Sequence, residues 1–99
     1  MLDLTPIQKK HLKALAHNLN AAVLLGKSGL TDSLIAEIDR SLAIHELIKV
    51  KFNKSKEEKT ELGEQLAEKT NSTLVSFVGN NLILYKEAEL EEDRKIKLP

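Results

Sequence analysis

Ala21-Ala22-Val23-Leu24-Leu25-Gly26-Lys27-Ser28-Gly29-Leu30-Thr31 is the stretch that decides the fold. Its opening run of apolar residues is too short for a helix and suits a strand covered on both faces. On that reading Leu24 belongs to the core, and Leu24→Asp should unfold the domain by burying an unpaired charge. The run stops at a glycine-bounded turn, after which Thr31 offers an oxygen to cap a helix. Leu34, Ile35, Ile38 and Leu42 continue at helical spacing, and His45 closes that helix before Glu46. Leu47 to Phe52 then alternates, with Ile48, Val50 and Phe52 on one side and Lys49 and Lys51 on the other. Strand, helix and strand in this order predict a crossover between parallel strands.

The flanking sequence extends the same architecture. Upstream, Thr5, Pro6 and Gln8 form a capping box with proline at the first helical position. The helix they open places Ile7, Leu12, Leu15, Ala16 and Leu19 on an apolar arc. Lys9, Lys10, Lys13 and His17 fall on the opposite arc, about 100° wide. Downstream, Ser55 and Glu58 make a second capping box, opening a third helix with Leu62, Leu66 and Ala67 inward. Thr73 to Val78 and Leu82 to Tyr85 read as strands joined through Gly79-Asn80-Asn81, a hairpin turn. The expectation is one compact α/β domain over residues 1–99, in the order α-β-α-β-α-β-β. A four-stranded mixed sheet packs against helices, with an ordered core over 4–86. Residues 87–99 read as a charged C-terminal extension, either a solvated helix or a mobile tail.

Composition narrows the chemistry. The 99 residues are 41% hydrophobic and 30% charged, which suits a single soluble core. Without cysteine there is no disulfide framework, thiolate metal site or cysteine nucleophile. No apolar run reaches the roughly 18 residues that span a bilayer, and no signal-peptide pattern opens the chain. The sequence therefore predicts no membrane partner and a cytoplasmic location. His11, His17 and His45 share no metal-ligand spacing, and no Ser-His-Asp set or carboxylate pair emerges. Neither catalytic residues nor a metal, cofactor or small-molecule substrate are expected. The aromatic residues Phe52, Phe77 and Tyr85 lie in strands, where core packing is their expected role.

The net charge of zero hides a segregation. Residues 1–56 carry nine Lys/Arg against five acids, residues 57–93 three against ten, and residues 94–97 three bases. A basic first half suits a polyanion, with the acidic half turned away from it. Within the basic half, Gly26-Lys27-Ser28-Gly29 joins a strand to a helix N-terminus. Such a loop can present backbone N–H groups, one lysine charge and one hydroxyl to an anion. The spacing fits neither a nucleotide P-loop nor the three-glycine dinucleotide fingerprint. Lys9, Lys10 and Lys13 of the first helix and Lys49 and Lys51 of the second strand are the other candidate contacts.

Several of these stretches resemble a known family. Lys10-His11-Leu12-Lys13-Ala14-Leu15-Ala16-His17, Val23 to Thr31, and His45-Glu46-Leu47-Ile48-Lys49-Val50-Lys51 are similar to the bacterial stand-alone form of the chloroplast RNA splicing and ribosome maturation (CRM) domain, the YhbY-like proteins. The resemblance runs from Thr5 to Pro99. It implies an RNA-binding domain of ribosomal precursor RNA in large-subunit assembly, folded like the C-terminal domain of a bacterial translation initiation factor. The family's GxxG loop maps onto Gly26, Lys27, Ser28 and Gly29, and its basic helix onto Lys9, Lys10 and Lys13. Ser28 departs from the asparagine common there. The expected function is phosphate gripping without catalysis. The alternative is a protein-interaction adaptor using the acidic third helix and tail.

Overall fold

The structure is a computed structural model that describes residues 3–26, 29–52 and 56–99. The capping signals act as read. The Thr5 hydroxyl accepts from the Gln8 amide at 3.2 Å, and the Gln8 side-chain oxygen accepts from the Thr5 amide at 3.0 Å. This box opens α1 (Pro6–Ala16). Thr31 accepts from the Leu34 amide at 3.1 Å and opens α2 (Asp32–His45). α3 covers Lys56–Lys69, and the Ser55 half of its expected box lies outside the described residues. No described helix is long and apolar enough to cross a membrane.

Four strands form one sheet in the order β1 (Val23–Leu25), β2 (Leu47–Phe52), β4 (Asn81–Tyr85), β3 (Thr73–Val78). β1 and β2 are parallel, with Val23 opposite Val50 and Leu25 opposite Phe52; the other pairs are antiparallel. Val78 faces Asn81, so Gly79 and Asn80 alone make the turn, and Gly79 takes the positive φ of 60° that this turn requires. The Lys59 ammonium donates to the Gly79 carbonyl at 2.9 Å, tying α3 to the hairpin.

The sheet is covered on both faces, unequally. α2 and α3 share one face, where Leu34, Ile38, Leu42, Leu66 and Ala67 pack on Val23, Leu25, Ile48, Val50, Phe52, Leu82 and Leu84. α1 lies alone on the other, burying Leu12 and Ala16 against Leu47, Val75, Ile83 and Tyr85. A single helix cannot cover a four-stranded sheet, and this corrects two expectations. β1 begins at Val23 rather than Ala21, and Leu24 is 62% exposed because its side chain points to the face that α1 leaves open. The apolar arc of α1 is likewise narrower than its sequence suggests: Ile7, Leu15 and Leu19 are exposed.

The stability expectation for β1 changes accordingly. Leu24→Asp should cost under about 1 kcal/mol, the range of exposed strand substitutions. Leu25→Ala, at a residue 1% exposed, should cost about 2–5 kcal/mol through lost burial and the cavity left behind. Parallel urea melts of the two variants read the difference directly.

The C-terminal extension is neither a solvated helix nor a free tail. Its only regular piece is one 3₁₀ turn, Glu91–Asp93. Beyond it the chain returns to α1, where Ile96 and Leu98 pack on the single-helix core and the Pro99 carbonyl accepts from the Gln8 side chain at 3.2 Å. Glu46 holds the segment in place. Its buried carboxylate accepts the amides of Ala88 (2.8 Å), Lys95 and Ile96 (3.1 Å).

Candidate functional site

Because β1 ends at Leu25, the glycine loop leaves the sheet at its β1 edge and enters α2 directly. Gly29 has φ 72°, its amide donates to the Gly26 carbonyl at 3.2 Å, and the Thr31 amide donates to the Gly29 carbonyl at 3.1 Å. The backbone is thus folded tightly on itself, which is why Gly29 must reach the left-handed region. The amides of Gly29, Thr31, Leu34 and Ile35 have internal acceptors. These four amides are therefore not free to donate to a ligand. Asp32 sits in the first turn of α2 and partly offsets its positive end. Lys27 and Ser28, the expected tip contacts, lie outside the described residues.

The surroundings of the loop are electrostatically lopsided. On one side Gly29 shares a shallow pocket with Glu58, Glu61, Leu62 and Gln65 of α3. The acidic third helix therefore does not turn wholly away from the loop, as charge segregation suggested; its N-terminal half borders it. On the other side stands the uncovered upper half of the sheet. There Leu24 pairs in register with Lys51, and Lys51 with Asn81, which faces Val78. Leu24, Lys51 and Val78 are exposed. The loop thus has carboxylates on one side and this open face on the other.

The expected lysines separate into three situations. Lys51 projects from the open face. Lys49 points to the same side but is half-buried, and its ammonium donates to the carbonyls of Leu19 (2.9 Å) and His17 (3.3 Å). It neutralises the negative end of α1 and fixes that helix on β2. On α1, Lys9, Lys10 and Lys13 are all exposed. Lys13 lies in the last turn, near the β2 side, whereas Lys9 lines a cleft of about 340 Å³ with Asp3, Glu64 and Thr73 at the opposite, β3 side of the sheet. The stripe runs diagonally across the molecule and approaches the open face only at its Lys13 end.

Leu24 and Val78 are surface residues that sequence reasoning missed. Nothing in Ala21 to Leu25 distinguishes an outward leucine from inward ones, because every residue there is apolar. The one available signal was Lys51, whose charge already marked the wet face of the neighbouring strand.

Comparison with known proteins agrees with this architecture. The CRS1/YhbY (CRM) domain model matches residues 4–86. A Haemophilus influenzae protein named RNA-binding protein is 41% identical over 100 residues, covering 100% of this chain and 98% of its own length. The Bacillus subtilis protein named probable RNA-binding protein YqeI is 38% identical, covering 97% of this chain and 99% of its own. The solution structure of the Staphylococcus aureus protein SAV1595 superimposes with a TM-score of 0.84 at 38% identity, over 98% of this chain and 100% of that one. By fold, by family match and by full-length similarity to these relatives, the chain belongs to the CRS1/YhbY (CRM) domain family.

Proposed function

We propose that this protein is a non-catalytic RNA-binding domain that acts on ribosomal precursor RNA during large-subunit assembly. The observation that carries the reading is the open half-sheet, placed between the glycine loop and the basic end of α1, with the α3 carboxylates on the loop's other side. The names of the full-length relatives support the ligand class. Gly26, Lys27, Ser28 and Gly29 grip phosphate at the loop; Lys10, Lys13 and Lys51 contact the backbone beyond it. Lys49 orients α1, and Lys9 marks the outer limit of the contact. Leu24 and Val78 supply an apolar floor on which ribose or base surface can lie. With no aromatic residue among the described residues of this face, shape and backbone outweigh base identity in recognition.

The test is filter binding of ribosomal precursor RNA against unrelated RNA of equal length over a salt series. The precursor should bind more tightly, and equal affinity for both would refute the ribosomal assignment. Lys10→Ala with Lys13→Ala should reduce the log–log salt slope by about 1.4, at about 0.7 per lost phosphate contact. Thermal stability should hardly change, since exposed lysines contribute little and alanine is the better helix former. Lys69→Ala, which removes one lysine charge at the end of α3, should leave the slope alone. An unchanged slope in the double variant would show that the α1 lysines are only a solvated face.

A further inference from the structure

At the far end of α2 from the glycine loop, a groove of about 660 Å³ runs between that helix and residues 86–95. Ala43 and Ile44 of α2 and Ala88 of the returning chain line it, and Ile44 is 56% exposed, whereas Leu34, Ile38 and Leu42 of the same helix are buried. Asp39, Glu89 and Asp93 stand around this apolar floor. Lys86 and Lys95 also line the groove, so the two charges are mixed there. The fourth carboxylate, Glu87, is engaged by Arg94 at 3.4 Å; among the described residues Asp39, Glu89 and Asp93 make no ion pair. Both walls are anchored, since Glu46 at the end of α2 holds the amides of Ala88, Lys95 and Ile96. The groove is therefore built by the fold and does not depend on a loop closing.

We propose that this groove docks a lysine- or arginine-rich segment of a partner protein, which seats an apolar side chain on Ala43, Ile44 and Ala88 between the carboxylates of Asp39, Glu89 and Asp93. Charge complementarity selects the occupant: the exposed rim, continued by Glu91 and Glu92, repels a nucleic acid and attracts a cationic chain. The apolar floor supplies the short-range contact that charge alone lacks. Fourteen residues of α2 separate the two ends by about 21 Å, so a polyanion at the loop and a cationic segment at the groove can bind together. The proposal stands independently of which RNA the loop takes.

Titration of the isotope-labelled full chain with a short synthetic peptide, lysines flanking a leucine pair, tests this by amide chemical shifts. Shifts should concentrate on residues 39–44 and 86–95, and the glutamate-for-lysine counterpart should cause none. Ile44→Asp should weaken binding about tenfold or more, as should Glu89→Lys with Asp93→Lys. Both variants change exposed residues, so the fold persists and their spectra report it. RNA affinity of Ile44→Asp should equal that of the parent. Three results would overturn the proposal: equal shifts along the acidic face of α3, no effect of Ile44→Asp, or groove shifts produced by RNA or by self-association instead.

Discussion

Glu46→Ala should lower the unfolding free energy by about 2–4 kcal/mol, the largest loss expected from any single polar substitution in this chain. The residue is 2% exposed, and its carboxylate serves three backbone amides of the C-terminal segment. A buried amide left without an acceptor costs about 1–3 kcal/mol. Fraying of the segment into water recovers part of that sum, which sets the lower end of the range. Alanine also keeps the unfavourable φ of 62° at this position, whereas Glu46→Gly would recover about 1 kcal/mol of it. Urea melts give the energy, and hydrogen exchange should show faster exchange at Ala88, Lys95 and Ile96. A variant that melts like the parent would mean the clasp contributes nothing.

The same residue has an optical readout. Tyr85 is fully buried, and its hydroxyl has no hydrogen-bond partner among the described residues. Burial first, then the carboxylates of Glu46 and Glu87, push its phenol from 10.0 up to about 12, with Arg94 pulling the other way. A folded-state value raised above the unfolded one contributes stability that is complete below about pH 10 and is lost as pH climbs towards 12. Glu46→Gln removes the second cause and leaves the first. Its phenolate absorbance should therefore appear at lower pH than in the parent, yet above 10.0. An unmoved titration would place the Glu46 charge too far from the ring to matter.

Gly26→Asp with Gly29→Asp should weaken RNA binding about 30- to 100-fold, roughly 2–3 kcal/mol, in a protein that still folds. Among the described residues, and leaving the chain neighbours aside, no heavy atom lies within 4 Å of a Cβ added at either glycine. At Gly29, with φ +72°, the left-handed backbone costs about 1–2 kcal/mol for an ordinary residue. The RNA loss comes from elsewhere. Two carboxylates at the loop, beside Glu58 and Glu61, turn an anion site into an acidic one. Gly29→Asn separates charge from backbone, because asparagine tolerates this φ and is neutral; it should keep most of the affinity. Unchanged RNA affinity in the folded double-aspartate variant would remove the loop from the mechanism.

Local signals carry most of the fold. Capping boxes, alternation and turn chemistry depend on neighbours within a few residues, so Thr5 with Gln8, Thr31 and the Gly79-Asn80 turn are legible in the chain itself. The order of elements and the parallel pairing of the first two strands follow from them. The glycine loop at a strand-to-helix junction and the lysines of α1 and β2 are equally plain as candidates, since residue type and spacing are local properties.

What the tertiary structure decided is coverage and reach. Hydrophobicity says that Leu24, Leu15 and Ile7 prefer burial, but only the packing of one helix over half a sheet leaves them at the surface. Lys49 and Lys51 sit two residues apart with the same charge; one caps α1 and the other is exposed, because the end of α1 passes over Lys49 and stops short of Lys51. Glu46 and the amides it holds lie more than forty residues apart, a separation at which no periodicity connects them. A charged tail after the last strand looks solvated in sequence, since two of its few apolar residues, Ile96 and Leu98, gain a core only once α1 and β4 have assembled one. Burial is a property of the assembled layers, and that is why it could not be read from the chain.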